Sequence, residues 1–222
     1  MKQLLLCVFF LFACSLADAG NRKVKIVTTK GIIVVQLSNK TPLHRNNFVK
    51  LVKQGYYNGI LFHRVIKEFM IQAGDDSTKQ SVPGKRYGSG GLNYKIPAEF
   101  DSSLFHKRGV LAAARDNNPE KASSGSHFYI VQGKKFTDST LNEVEVKRMG
   151  GRKIPERYRE VYRTIGGAPH LDQNYTVFGE VVKGMNVVDT IAQMERDQYD
   201  RPKEDVRLSL IHISEPTRLR RI

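Results

Sequence analysis

Outside its first twenty residues the chain has no cysteine; the two present are Cys7 and Cys14. The folded part can therefore hold neither a disulfide nor a thiolate metal site, and its stability must come from a packed core. The chain also lacks an apolar run of about 20 residues, the length a membrane-spanning helix requires. It shows no zinc-finger spacing and no dense arginine run among aromatics. Nucleic-acid binding is therefore not expected, despite a formal net charge of +14. That charge fits a solvated Lys and Arg surface, open to acidic partners or an anionic membrane face. There is no internal repeat and no second domain. What is present is 222 residues, 40% of them hydrophobic: enough for one sizeable domain with a real core.

The two ends read differently from the middle. Met1-Lys2-Gln3 leads into the apolar run Leu4 to Ala13, followed by Ala17-Asp18-Ala19. A charged start, a short apolar core and an A-x-A ending predict a secretory signal over residues 1–19 and export to the periplasm or cell envelope. A competing reading takes Leu11-Phe12-Ala13-Cys14 as a lipoprotein signal that leaves Cys14 as a lipidated anchor, although Phe12 is bulky for such a box. At the other end, Leu208 to Arg218 resembles an in-frame translation of a transposase sequencing adapter. This predicts that the domain's own sequence runs over residues 22–207 and that 208–222 are a cloning or assembly scar.

Between the ends, Val24–Thr28 and Ile32–Leu37 are β-rich runs around Thr29-Lys30-Gly31, which predicts a hairpin. Thr41-Pro42 opens a helix, with Thr suited to cap it and Pro to its first turn. Phe48, Leu51 and Val52 give that helix one apolar face, and Gly55 ends it. Short strands are predicted at Leu61–Val65, Phe69–Gln72, Gly109–Ala114, His127–Val131 and Thr176–Val182, with a glycine-rich loop at Gly84–Gly91. Many short strands and few helices argue for a closed barrel or a sandwich. Residues 134–169 break the rhythm. They are polar and mixed in charge, with one helix predicted at Pro155–Arg163, and read as an insertion on the surface. Val187, Val188, Ile191 and Met194 predict a further helix packed on the barrel.

The segment Phe62-His63-Arg64-Val65-Ile66-Lys67-Glu68-Phe69-Met70-Ile71-Gln72-Ala73-Gly74-Asp75 resembles the signature of the cyclophilins. Matching pieces follow in order: Gly88-Ser89-Gly90-Gly91, Gly109 to Ala114, Ser124 to Ile130, Leu171-Asp172, and Tyr175 to Gly179. The likeness covers about Val24 to Arg207, apart from the insertion, and lies closest to the bacterial exported branch. The resemblance implies an all-β fold, an eight-stranded antiparallel closed β-barrel capped by two α-helices, with the active groove on the outer wall. It also implies that the family's last strand pairs with the first; the alternating run Val206 to Leu210 could imitate that strand.

The implied activity is peptidyl-prolyl cis/trans isomerisation of proline-containing polypeptides in exported or envelope proteins. Amide resonance sets a barrier of about 18–20 kcal/mol to this rotation. No bond is made or cut, so no metal, cofactor or general base is expected. A fixed guanidinium that binds the twisted amide better than either planar form suffices, and the resemblance assigns Arg64 that task with Gln72 beside it. Phe69, Met70, Tyr129 and Leu171 are the implied proline pocket, and Ala114 and Arg115 the contacts to substrate backbone. The resemblance also places His127, His170 and Tyr175 among the substrate-binding residues, and these depart from common family residues. His127 stands for Gln, His170 for Trp and Tyr175 for His, while Arg115 stands where eukaryotic members often have Asn. The His170 departure predicts weak cyclosporin binding. A second reading keeps the barrel as a proline-segment-binding chaperone with little turnover, because of His127. A monomer is expected.

Overall fold

The computed structural model describes residues 22–214, so the signal-peptide and lipidation readings lie outside the described residues. Strands β1 (Lys23–Thr28) and β2 (Gly31–Leu37) form the expected hairpin. Val24, Ile26, Ile33, Val35 and Leu37 are fully buried on its inner face. The other strands of the main sheet are β3 (Arg64–Ile66), β4 (Met70–Ala73), β6 (Val110–Ala113), β8 (Phe128–Val131), β9 (Val177–Lys183) and β10 (Leu208–Ser214). A separate two-stranded ladder joins β5 (Lys95–Ile96) to β7 (Ser123–Ser124). The main sheet runs β10-β1-β2-β9-β6-β8-β4-β3 and is antiparallel throughout.

Eight antiparallel strands match the expectation, but the closed barrel does not: the sheet is open between β3 and β10. Its two ends approach only through an isolated bridge, Leu61 to Arg207, and through hydrogen bonds such as Phe62 N to Val206 O at 2.9 Å. The reason lies on the free edge of β3. There the Val65 amide is taken by the carbonyl of Asp200, at 2.7 Å, so a loop and not a strand covers that edge.

Two helices pack on the barrel core as expected. Helix α1 (Pro42–Lys53) buries Phe48, Val49, Leu51 and Val52. The Phe48 ring lies between Phe128 and Phe178, each 5.4 Å away between centroids. Thr41 does not cap this helix. Its hydroxyl is buried without a partner among the described residues, and Glu99 accepts the Leu43 and His44 amides instead, at 3.0 and 2.9 Å. Helix α4 (Met185–Ala192) buries Val187, Val188 and Ile191.

Residues 134–169, read from the sequence as an insertion, hold two helices where one was expected. They are α2 (Asp138–Arg148) and α3 (Glu156–Thr164), around a small core of Leu141, Ile154 and Tyr162. The stretch read as adapter-like supplies β10, which pairs with β1 from Lys23 opposite Ser214 to Thr28 opposite Leu208.

Candidate active site

The central strands are apolar at every position because both of their faces are covered. Along β8, Phe128 and Ile130 enter the barrel core, whereas Tyr129 and Val131 join a second apolar cluster outside it. Met70 from β4, Val110 and Ala112 from β6, Val177 from β9 and Leu171 complete that outer cluster, with Phe69, Ala114 and Tyr175 at its rim. The period-two alternation of a strand thus builds a hydrophobic surface on the outer wall of the barrel.

A cavity of about 180 Å³ opens on this surface. Arg64, Phe69, Met70, Gln72, Ala114, Arg115, Tyr129, Leu171 and Tyr175 line it. These are nine of the eleven residues singled out from the sequence, drawn from points over 100 positions apart. Strand register accounts for the closest neighbours. Arg64 lies opposite Gln72, and Gln72 opposite Tyr129, so guanidinium, amide and phenol sit on three adjacent strands.

The remaining two candidates flank the cavity. His127 lies on one side, in a compartment shared with Gln72, Ala114 and Arg115 and bounded by the glycine loop. Its Nε2–H donates to the Gly90 carbonyl at 2.8 Å, so it anchors that loop. Asp75 and Asp76 hold the same loop from below. Asp75 accepts the Gly88 and Gly90 amides at 2.6 and 3.2 Å, and Asp76 accepts Gly91 at 3.1 Å. Gly91 has φ +114°, and a Cβ there would come within 2.7 Å of Ser126 Oγ, so only glycine fits. On the other side His170 packs against Phe69, ring centroids 5.6 Å apart and the planes tilted by 31°.

The walls of the cavity are held unequally. The Arg64 side chain is 43% exposed and its guanidinium makes no hydrogen bond among the described residues; its charged neighbour is Asp200, 3.6 Å from Nε. Gln72's amide is likewise free of hydrogen bonds among the described residues. Arg115 lies 4.8 Å over the Tyr175 ring and donates to the carbonyls of Asn174 and Asp116 at 2.9 and 2.8 Å. The Tyr129 hydroxyl is buried and bonded to His106 Nε2 at 2.9 Å. His106 Nδ1 and its backbone amide both face Asp172 Oδ1, at 3.0 and 2.8 Å. The second oxygen of Asp172 accepts the Tyr162 hydroxyl at 2.7 Å. A carboxylate only accepts, so Nδ1 of His106 carries the proton and Nε2 takes that of Tyr129. Burial raises the Tyr129 and Tyr162 phenols well above their ordinary range, which keeps both as donors.

His63, next to Arg64, is buried, and neither ring nitrogen has a hydrogen-bond partner among the described residues. Burial first, and then the neighbouring His127, push it down to about 4. It packs behind the arginine as a neutral ring. His106, Tyr162 and Asp200 are site residues that the sequence did not disclose. Each acts through a contact made between distant segments, and no spacing announces that. Among the described residues no cluster of three His, Cys, Asp or Glu could hold a metal ion.

The model of the family described as cyclophilin type peptidyl-prolyl cis-trans isomerase matches residues 23–213. A Staphylococcus aureus protein named "Putative peptidyl-prolyl cis-trans isomerase" is 36% identical over 197 residues, covering 88% of this chain and 93% of its own length. A Streptococcus pyogenes protein, "Putative bifunctional phosphatase/peptidyl-prolyl cis-trans isomerase", is 37% identical over 194 residues. The chain spans only 38% of that relative's length. Among solved structures, a cyclophilin type isomerase of Cryptosporidium parvum superposes with a TM-score of 0.66 at 22% identity, over 88% of this chain and 99% of the other. The fold is thus a known one, and the chain belongs to the cyclophilin-type peptidyl-prolyl cis-trans isomerases.

Proposed function

We propose that this isomerase turns over X-Pro bonds of exported or envelope polypeptides, with Arg64 as the catalytic residue and without proton transfer. The observation that carries the reading is the pairing of an unbonded guanidinium with an apolar cavity across two adjacent strands. The prolyl ring enters among Phe69, Met70, Tyr129 and Leu171. Rotation about the amide returns the lone pair to the prolyl nitrogen, and a guanidinium donor aimed at the twisted amide stabilises it more than either planar state. Gln72 and the main chain at Ala114 and Arg115 hold the flanking substrate backbone. A rate gain of about 10⁵ needs roughly 7 kcal/mol of such preference.

Export is supported by Lys2, the apolar run Leu4 to Ala13 and Ala17-Asp18-Ala19. A proline-binding chaperone with little turnover is the second reading, and it requires that the arginine contribute nothing to rate. Arg64→Lys separates the two: it keeps the charge and loses the rigid fork of donors. The catalytic reading expects a rate between those of wild type and Arg64→Ala in a protease-free exchange assay. Three indistinguishable rates favour the chaperone.

A further inference from the structure

The groove continues past the proline cavity. Beyond Phe69 and His170 a second cavity of about 500 Å³ lies between helix α2 of the insertion and the turn joining β3 to β4. The two cavities share Phe69, and His170 immediately precedes Leu171 of the first. The second cavity has apolar side chains within it, Phe69, Phe136 and Val144, and a charged rim. The rim carries four cations, Lys67, Lys134, Lys147 and Arg148, against two carboxylates, Glu68 and Glu143. Lys147 is paired with Glu143 at 3.0 Å, and Lys134 lies 5.6 Å over the Phe136 ring. Lys67 and Arg148 have no carboxylate partner among the described residues. His170 adds no charge to them: burial first, and then Arg148 itself, hold its imidazole down to about 4, so it is uncharged at neutral pH.

Exposed lysines and arginines ordinarily mark only a solvated face. Here they converge over apolar side chains that continue the substrate cavity; Lys67 comes from the turn between β3 and β4, and the other three cations come from residues 134–169. We propose that this groove is a second substrate subsite, built largely by residues 134–169, which takes the polypeptide chain as it leaves the proline cavity and favours an acidic side chain there. The proposal rests on the isomerase reading of the first cavity. Apolar contact with Phe69 and Phe136 accommodates the stem of a Glu side chain, and Lys67 and Arg148 meet its carboxylate. The subsite extends one end of the groove only, so the preference belongs to one side of the proline.

The test uses the full chain and pairs of otherwise identical proline peptides carrying Glu or Lys two or three residues before or after the proline. Binding is read by titration and cis/trans exchange by NMR. Exposed charge contacts are modest, so Glu is expected to be favoured over Lys by about threefold to tenfold. That preference should fade at about 1 M salt, where the screening length is near 3 Å. The Lys67→Glu/Arg148→Glu double variant should abolish or invert it on one side of the proline and leave the other side unchanged. Equal handling of Glu and Lys peptides by the wild type overturns the proposal. So does a preference that the double variant loses equally on both sides, since overall net charge would then account for it. Turnover without any preference removes the subsite and leaves the isomerase. A one-sided binding preference without turnover keeps the subsite and removes the catalytic reading.

Discussion

Asp200 does two things to Arg64 at once. Its carboxylate lies 3.6 Å from the arginine's Nε, and its carbonyl accepts the amide of Val65, the next residue along β3. The catalytic candidate is therefore oriented by the same loop that covers the sheet edge on which it stands. Asp200→Asn keeps the shape and removes the charge. The pair is partly exposed, so the expected loss in kcat/KM is only about twofold to fivefold, with KM nearly unchanged. Stopped-flow or NMR exchange rates check this; an unchanged or faster variant would show that Asp200 does not position the guanidinium.

The chain of contacts from Tyr162 through Asp172 and His106 to Tyr129 joins helix α3 to the floor of the proposed proline cavity. Tyr162→Phe preserves the ring and leaves Asp172 Oδ2 one donor short in a buried site, at a cost of about 1–3 kcal/mol. For a domain of this size that lowers Tm by about 2–12 °C. Because the loosened group stands two contacts from Tyr129, the affinity for a proline peptide should also weaken. A variant with lowered Tm and undisturbed peptide affinity would confine Tyr162 to a structural role.

Acid should weaken the fold through its buried histidines. Burial holds His63 and His170 down to about 4, and lowers His44 and His127 as well. Unfolded histidines titrate near 6.5. Between those values the unfolded chain binds more protons, so stability is complete above about pH 6.5 and is lost as pH falls toward 4. Thermal melts across this window should show a falling Tm, and His63→Leu should flatten the slope. A flat wild-type profile from pH 7 to 4 contradicts the account.

How much of this was legible in the residues depends on what holds each element. Strands β1 and β2 show themselves by alternation, and β6 and β8 by unbroken apolar runs. Helices α1 and α4 follow from apolar residues at helical spacing. Helix α2 has no apolar stripe to read. Its buried residues are Leu141 and Glu145, and Glu145 is held by Arg159 and Lys153 at 2.8 Å each. The open sheet was equally hidden, since it turns on one carbonyl of a distant loop. The cavity residues came from ordered resemblance, whereas His106 and Tyr162 join through contacts that no period encodes. β10 needs only an alternating run to pair with β1, so strand formation does not bear on where Leu208 to Ser214 come from. We keep the proposal that they derive from an adapter, and a genomic read that encodes them would end it.

The first twenty residues make a prediction of their own. If the chain is exported by a cleaved signal, the mature protein begins at Gly20 and is recovered from the envelope or periplasm. N-terminal sequencing and mass measurement check this. A lipid-modified Cys14 would select the anchored form, and a mature chain that keeps Met1 in the cytoplasm would refute export.

The central claim is that Arg64 lowers the barrier electrostatically. It is tested most directly by the X-Pro exchange rate of Arg64→Ala against wild type, measured by NMR without a coupling protease. Loss of a donor aimed at developing charge predicts a fall in kcat/KM of about 10²–10³. Peptide binding should change only a few-fold, because the cavity around the prolyl ring is untouched. Equal exchange rates in the two proteins would contradict the account.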